Sequence, residues 1–159
     1  TNNAIRQINL AIPQPMRAQL WDTSGGTVPI TDIGVYVPLN IDANVLGDAT
    51  FNLARSDPPN ISGLKNITNQ KRMLHVIATY EGYGGNNTAL GIKLGIDGVV
   101  LDGSAASAFA SNTTATGKLI THWITPLEPG SQVTVYAANL ETTDDIIISR
   151  WKISAIAIP

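Results

Sequence analysis

Leu90, Ile92, Leu94 and Ile96 alternate with Gly91, Lys93 and Gly95, the period of two that sends successive side chains to opposite faces of a strand. Asp97-Gly98 interrupts the run with a dipeptide suited to a two-residue type I′ turn, whose central positions both need positive φ. Val99, Val100 and Leu101 return, so residues 90–101 predict a β-hairpin at the centre of the fold. Upstream, Met73-Leu-His-Val-Ile-Ala-Thr-Tyr80 is almost continuous in apolarity and rich in strand formers, as expected of a strand covered on both faces. Further strands are predicted over 118–125, 132–139 and 146–158, delivered by turns at Pro126-Leu-Glu-Pro-Gly130 and Glu141-Thr-Thr-Asp-Asp145. Strands recur roughly every 10 to 15 residues and no stretch carries a helical period. The expected fold class is therefore all-β, an antiparallel β-sandwich of the jelly-roll kind with an extended N-terminal arm.

The N-terminal region reads differently. Ile5, Ile8, Leu10, Ile12, Met16, Leu20 and Trp21 follow no clean period, and Pro13 and Pro15 exclude one continuous helix, because proline lacks the N–H and pushes its predecessor toward extended backbone. Residues 1–30 are expected to form an arm that lies on a neighbouring subunit or closes the edge of its own sandwich, and residues 31–159 the jelly-roll domain. Ser24-Gly-Gly-Thr27 predicts a turn, and Ile33–Leu39 and Thr50–Ala54 are short strand candidates. Pro38 makes the first of these an edge. Ser56-Asp-Pro-Pro-Asn-Ile-Ser-Gly63 is a loop by composition and the candidate boundary between an attachment region and the main sandwich.

Composition narrows the function more than the fold. The 159 residues suit one domain with a sizeable core. The chain has no cysteine, which removes disulfides, thiolate nucleophiles and zinc-thiolate sites together. A net charge of −2 with 14% charged residues gives no case for nucleic acid or an anionic membrane surface, both of which ask for clustered Lys and Arg. No apolar run approaches the ~18 residues of a membrane span, and Thr1-Asn-Asn-Ala-Ile-Arg6 lacks the blocks of a signal peptide. Abundant Asn, Thr, Ser, Ala and Gly leave broad, weakly charged faces that suit subunit contact, since uncharged surface is buried without desolvating ions.

Residues with chemical potential are few. His75 shares a strand face with Met73 and Ile77, and His122 with Ile120 and Ile124. Both are expected to be hydrogen-bonded packing residues, since nothing sets them at metal-ligand spacing. Asp97, Asp102, Asp144 and Asp145 stand at turns, where carboxylates cap backbone donors. Glu141 with Asp144 and Asp145 offers a few oxygens for calcium, yet a solvated turn is the simpler reading. No carboxylate pair is marked out for glycoside hydrolysis, no Gly-x-Ser-x-Gly elbow is present, and Gly82-Tyr-Gly-Gly85 lacks the ending of a phosphate loop. Tyr80, Tyr83, Trp123, Tyr136 and Trp151 are candidates for a sugar-binding platform, but late-strand tryptophans are equally expected in a core. Asn60, Asn66, Asn86 and Asn112 open glycosylation-like triplets, as chance supplies in a chain this rich in Asn and Thr. No catalytic, cofactor-binding or metal-binding residue is assigned, no cofactor is expected, and the chain is not expected to be an enzyme.

Asn66-Ile-Thr-Asn69, Leu74-His-Val-Ile-Ala-Thr-Tyr80, Gly91-Ile-Lys-Leu-Gly-Ile-Asp-Gly98, Leu127-Glu-Pro-Gly-Ser-Gln-Val-Thr-Val-Tyr-Ala-Ala-Asn139 and Ile146-Ile-Ile-Ser-Arg-Trp-Lys-Ile-Ser-Ala-Ile-Ala-Ile158, taken in this order, resemble the jelly-roll modules of tailed-bacteriophage structural proteins. These modules include head decoration (cement) proteins, head fibres and tail-fibre tips, and the spacing is similar to the trimeric tumour-necrosis-factor and C1q-like fold. The likeness spans Phe51 to Ile158, with Gly130-Ser131 standing where such modules often carry Gly-Asp. The resemblance implies a non-enzymatic virion structural protein. It would be a homotrimeric capsid decoration protein on the capsid surface, binding the major capsid protein through its arm. The alternative it implies is a receptor- or glycan-binding tip of a fibre or spike, and a secreted trimeric ligand stands third.

Overall fold

The computed structural model describes residues 17–46 and 53–158. The described residues form thirteen strands: β1 (Arg17–Asp22), β2 (Gly26–Val28), β3 (Val37–Pro38), β4 (Val45–Leu46), β5 (Leu53–Arg55), β6 (Gly63–Asn66), β7 (Arg72–Tyr83), β8 (Thr88–Ile96), β9 (Val99–Val100), β10 (Ala106–Ala110), β11 (Gly117–Leu127), β12 (Gln132–Asn139) and β13 (Ile146–Ala157). They build two antiparallel sheets. One has the order β11-β7-β13-β1-β4, with β2 also on β13, and the other β10-β8-β12-β6-β5, with β3 on β12 and β9 on β8. The fold is an all-β sandwich, as the alternating pattern predicts.

Its eight longer strands pair in a nested order. β1 pairs with β13, β6 with β12, β7 with β11 and β8 with β10, so the first joins the last and each inner pair follows on the other sheet. Between the sheets lies one core, in which Leu20, Leu74, Val76, Leu90, Ile92, Leu94, Val133, Val135, Ile148, Trp151 and Ile153 are buried. Strand β13 serves that core with two sets of opposite parity, Ile146 and Ile148, then Trp151, Ile153 and Ala155. The pairing with β7 slips between Ile148 and Arg150, and this bulge, which adds one residue to one strand, switches the inward phase.

The predicted hairpin is present. Asp97 and Gly98 hold φ of 49° and 84°, and Gly95 and Ile96 face Val100 and Val99. Gly91 and Gly95 have a packing role that alternation alone does not show. A methyl group at Gly91 would meet the hydroxyl of Tyr36, and one at Gly95 the ring of Tyr136. Both aromatics therefore lie flat on the sheet where side chains are missing, with the Lys93 ammonium 4.2 Å from the Tyr36 ring and 2.8 Å from Asp102.

Three expectations meet the structure differently, and one strand is unexpected. Residues 1–16 of the expected arm lie outside the described residues, and of its two readings Arg17–Asp22 follows the one that joins its own sandwich, as an inner strand and not at the edge: it pairs along its length with Ile156–Trp151, and Leu20 is fully buried. The Ser56–Gly63 loop marks no boundary, because it closes the hairpin of β5 on β6, with Ser56 N–H donating to Gly63 O at 3.0 Å. Strand β10 falls in a stretch of Ala and Ser that carries no strand-forming signal, and its ladder with β8 decides its conformation. Strand β7, expected to be covered on both faces, is covered on one: Leu74, Val76, Ala78 and Tyr80 point into the core, while Met73 and Ile77 are exposed. The apolar residues of its second face are thus unexplained by the fold of the single chain.

Two buried asparagines tie loops to strand ends. Asn139 Nδ2 donates to Gly84 O (2.8 Å), Thr142 Oγ1 (2.9 Å) and Asp144 O (3.1 Å), and its Oδ1 accepts from the N–H groups of Glu141 and Thr142. Asn66 Nδ2 donates to Gln70 O and Leu127 O, both at 2.9 Å, while Thr68 caps its Oδ1. Asn66 is fully buried, so its glycosylation-like triplet is a structural device.

Candidate interaction surface

Long strands with full ladders fix the outer face of β11, β7 and β13 residue by residue. Reading across it, Ile124 lies beside His75, which lies beside Ile156, and the next row holds His122, Ile77 and Ser154. Pro126 and Met73 flank one end. Ile120 is 62% exposed, Ile124 58%, Ile156 55%, Met73 42% and Ile77 36%. Monomeric proteins seldom leave this many large aliphatic groups contiguous, and patches of this kind mark contact surfaces. The opposite end of the face is charged, with Lys118, Glu81 and Arg150 in one row and an Arg150–Glu81 ion pair at 3.5 Å. Lys152 and Trp21 stand between the two zones, the ammonium 5.9 Å from the ring.

The two histidines come together in the middle of the apolar zone. They sit 47 residues apart in sequence, yet on adjacent strands one rung out of register, with His75 Nε2 3.4 Å from His122 Nδ1 and the rings edge to face at 76° with centroids 5.4 Å apart. The alternation places each among the expected aliphatic neighbours, but on the outer face, where His122 is exposed. No spacing within either strand signals this meeting, since only the β7–β11 register creates it.

The other candidates do not converge. Tyr80 and Trp151 are core residues; burial pushes the Tyr80 hydroxyl well above the usual tyrosine range, and it donates to Gly91 O at 2.7 Å. Tyr36, which sequence reasoning passed over, has its hydroxyl raised by burial, against the opposing pull of Lys93. Tyr136 is buried, Tyr83 donates to Asn86 Oδ1, and Trp123 covers Gly103 at the sheet edge beside a shallow cavity of about 380 Å³ lined also by His122 and Ile124. These five aromatics form no common platform. Three of the acidic residues serve the backbone, Asp97 accepting from Gln132 N–H, Asp145 from Ile30 N–H and Glu141 from Ala89 N–H, each at 2.9 Å, while Asp102 pairs with Lys93. Among the described residues no three His, Asp or Glu side chains gather as a metal site, and no helix is long and apolar enough to cross a membrane.

The decisive comparison is one of shape. The chain is similar in structure to the PRD1 vertex protein P5. The TM-score is 0.52 at 14% identity, over 90% of this chain and 96% of P5. At that identity the likeness to P5 is one of fold. No family model matches the chain, and no curated protein sequence matches it.

Proposed function

We propose that the protein is a non-enzymatic virion structural protein, a homotrimeric capsid decoration (cement) protein of jelly-roll fold that binds the major capsid protein and stabilises the phage head. The apolar outer face of β11, β7 and β13 carries this reading, since it gives copies of the chain a surface to cover. Two further observations support it. The nested pairing of first strand with last supports the jelly-roll reading, and the fold is shared with a protein named for a virion vertex. Covering a fully exposed aliphatic side chain is worth about 1.5–3 kcal/mol, and roughly half that for groups already half-buried. Several such groups per copy contribute to holding a complex whose charged groups stay at the rim. A decoration protein then stabilises its shell by mass action, because it binds the assembled state and not the dissociated one.

The dispersal of Tyr80, Tyr83, Trp123, Tyr136 and Trp151 favours decoration over a glycan-binding tip. Light scattering on the eluting chain should give three times its 16.8 kDa, and particles carrying the protein should survive a higher temperature than particles lacking it. A monomer that leaves particle stability unchanged would refute the proposal.

A further inference from the structure

His75 and His122 are the only histidines of the chain, and they meet on an otherwise aliphatic surface. We propose that they form a two-nitrogen chelating site for a borderline transition-metal ion such as Zn²⁺, Ni²⁺ or Cu²⁺. The inference concerns a site within one chain and goes beyond the structural role proposed above.

The geometry is that of a chelate. Two nitrogens each about 2.0–2.1 Å from a common zinc ion and 3.4 Å apart subtend about 110° at the metal, the tetrahedral value. In the structure these two atoms are hydrogen-bond partners of each other; with its proton on Nδ1, His75 would present a lone pair at Nε2, and with its proton on Nε2, His122 would present one at Nδ1, so that both could turn to a metal ion. The frame is rigid, because the strands pair without interruption from Gly117–Gly82 to Leu127–Arg72, which lowers the entropy lost on binding.

Charge and ligand type select the ion. Around the pair stand Met73 and Ile77 on β7, Ile124 on β11, Ile156 and Ser154 on β13, and Arg17 across from Ile156 on β1. Glu81, Lys118, Arg150 and Lys152 belong to rows farther along the face. Calcium and magnesium, which demand several oxygens, find none, whereas imidazole suits zinc, nickel and copper. The protein fills two positions, leaving the others to water or to another copy.

The test is a calorimetric titration of the full chain with Ni²⁺ at pH 7.5, paired with imidazole NMR spectra. One ion per chain is expected, broadening the resonances of both histidines, with affinity weakened about tenfold or more in His75→Gln and in His122→Gln. Both substitutions lie on the outer face, and thermal unfolding of each variant checks that the fold persists. Absence of binding up to millimolar Ni²⁺, broadening of one ring alone, or undiminished binding by the double variant overturns the proposal. The mass of each sample, measured with a chelator present, separates the two readings: a trimer without metal binding defeats only the chelate, and a metal-binding monomer defeats only the trimer.

Discussion

Tyr80 shows how a single side chain links sequence pattern to a measurable property. Its ring fills the core while its hydroxyl donates to Gly91 O, directly beneath the glycine on which Tyr36 lies. Burial holds the phenol neutral and raises its titration above the unfolded value near 10. The stability owed to that neutral form is complete below about pH 10 and declines as pH rises beyond it, since the unfolded chain releases its proton first. Urea unfolding followed from pH 7 to 11 should therefore show a fall above pH 10. In Tyr80→Phe that fall should shrink, at a cost of about 1 kcal/mol at pH 7 for the lost hydrogen bond. At this scale the sequence was partly legible. Strand alternation puts Tyr80 in phase with Leu74 and Val76, but Gly91 and Gly95 read as bare positions until Tyr36 and Tyr136 are seen to cover them.

Among the elements, legibility followed the locality of the signal. The hairpin at Asp97-Gly98 is written in adjacent residues and forms as expected, whereas β10 and β1 owe their conformation to partners far away. Ala106–Ala110 becomes a strand because β8 offers it a ladder, and Arg17–Asp22 because β13 does. The ends of such strands need anchors that periodicity does not reveal, and Asn139 is one. Replacing it with alanine removes the side-chain bonds to Gly84 O, Asp144 O and the N–H groups of Glu141 and Thr142 together, leaving Gly84 O only the Thr142 hydroxyl among these partners. Asn139→Ala should cost about 2–4 kcal/mol in denaturant unfolding. It should also raise amide exchange in the 84–87 turn and the 140–145 loop ahead of the other loops.

For the whole molecule, the exposed face of β11, β7 and β13 is the feature that a core cannot account for. Its members were legible one by one, since His75, Ile77, Ile120, His122 and Ile124 alternate with core residues. Their union was not, because the rows exist only through cross-strand register. Substitution on this face should separate folding from assembly: Ile77→Glu and Ile124→Lys are expected to keep the β-sheet circular dichroism spectrum of the parent while the scattering mass falls to that of one chain. An unchanged mass in both would show that copies meet elsewhere.

Strand β13 lies between β7 and β1, and this position reaches back into how each molecule is made. Until residues 146–157 have left the ribosome, the sheet they complete exists as two fragments, β11 with β7 and β1 with β4. Of its exposed aliphatic groups, Met73, Ile77, Ile120 and Ile124 stand on β7 and β11, and β13 adds Ile156 beside them. The middle strand therefore enlarges a contact patch that β7 and β11 have already begun, and its pairing with β1 carries that patch across to Trp21.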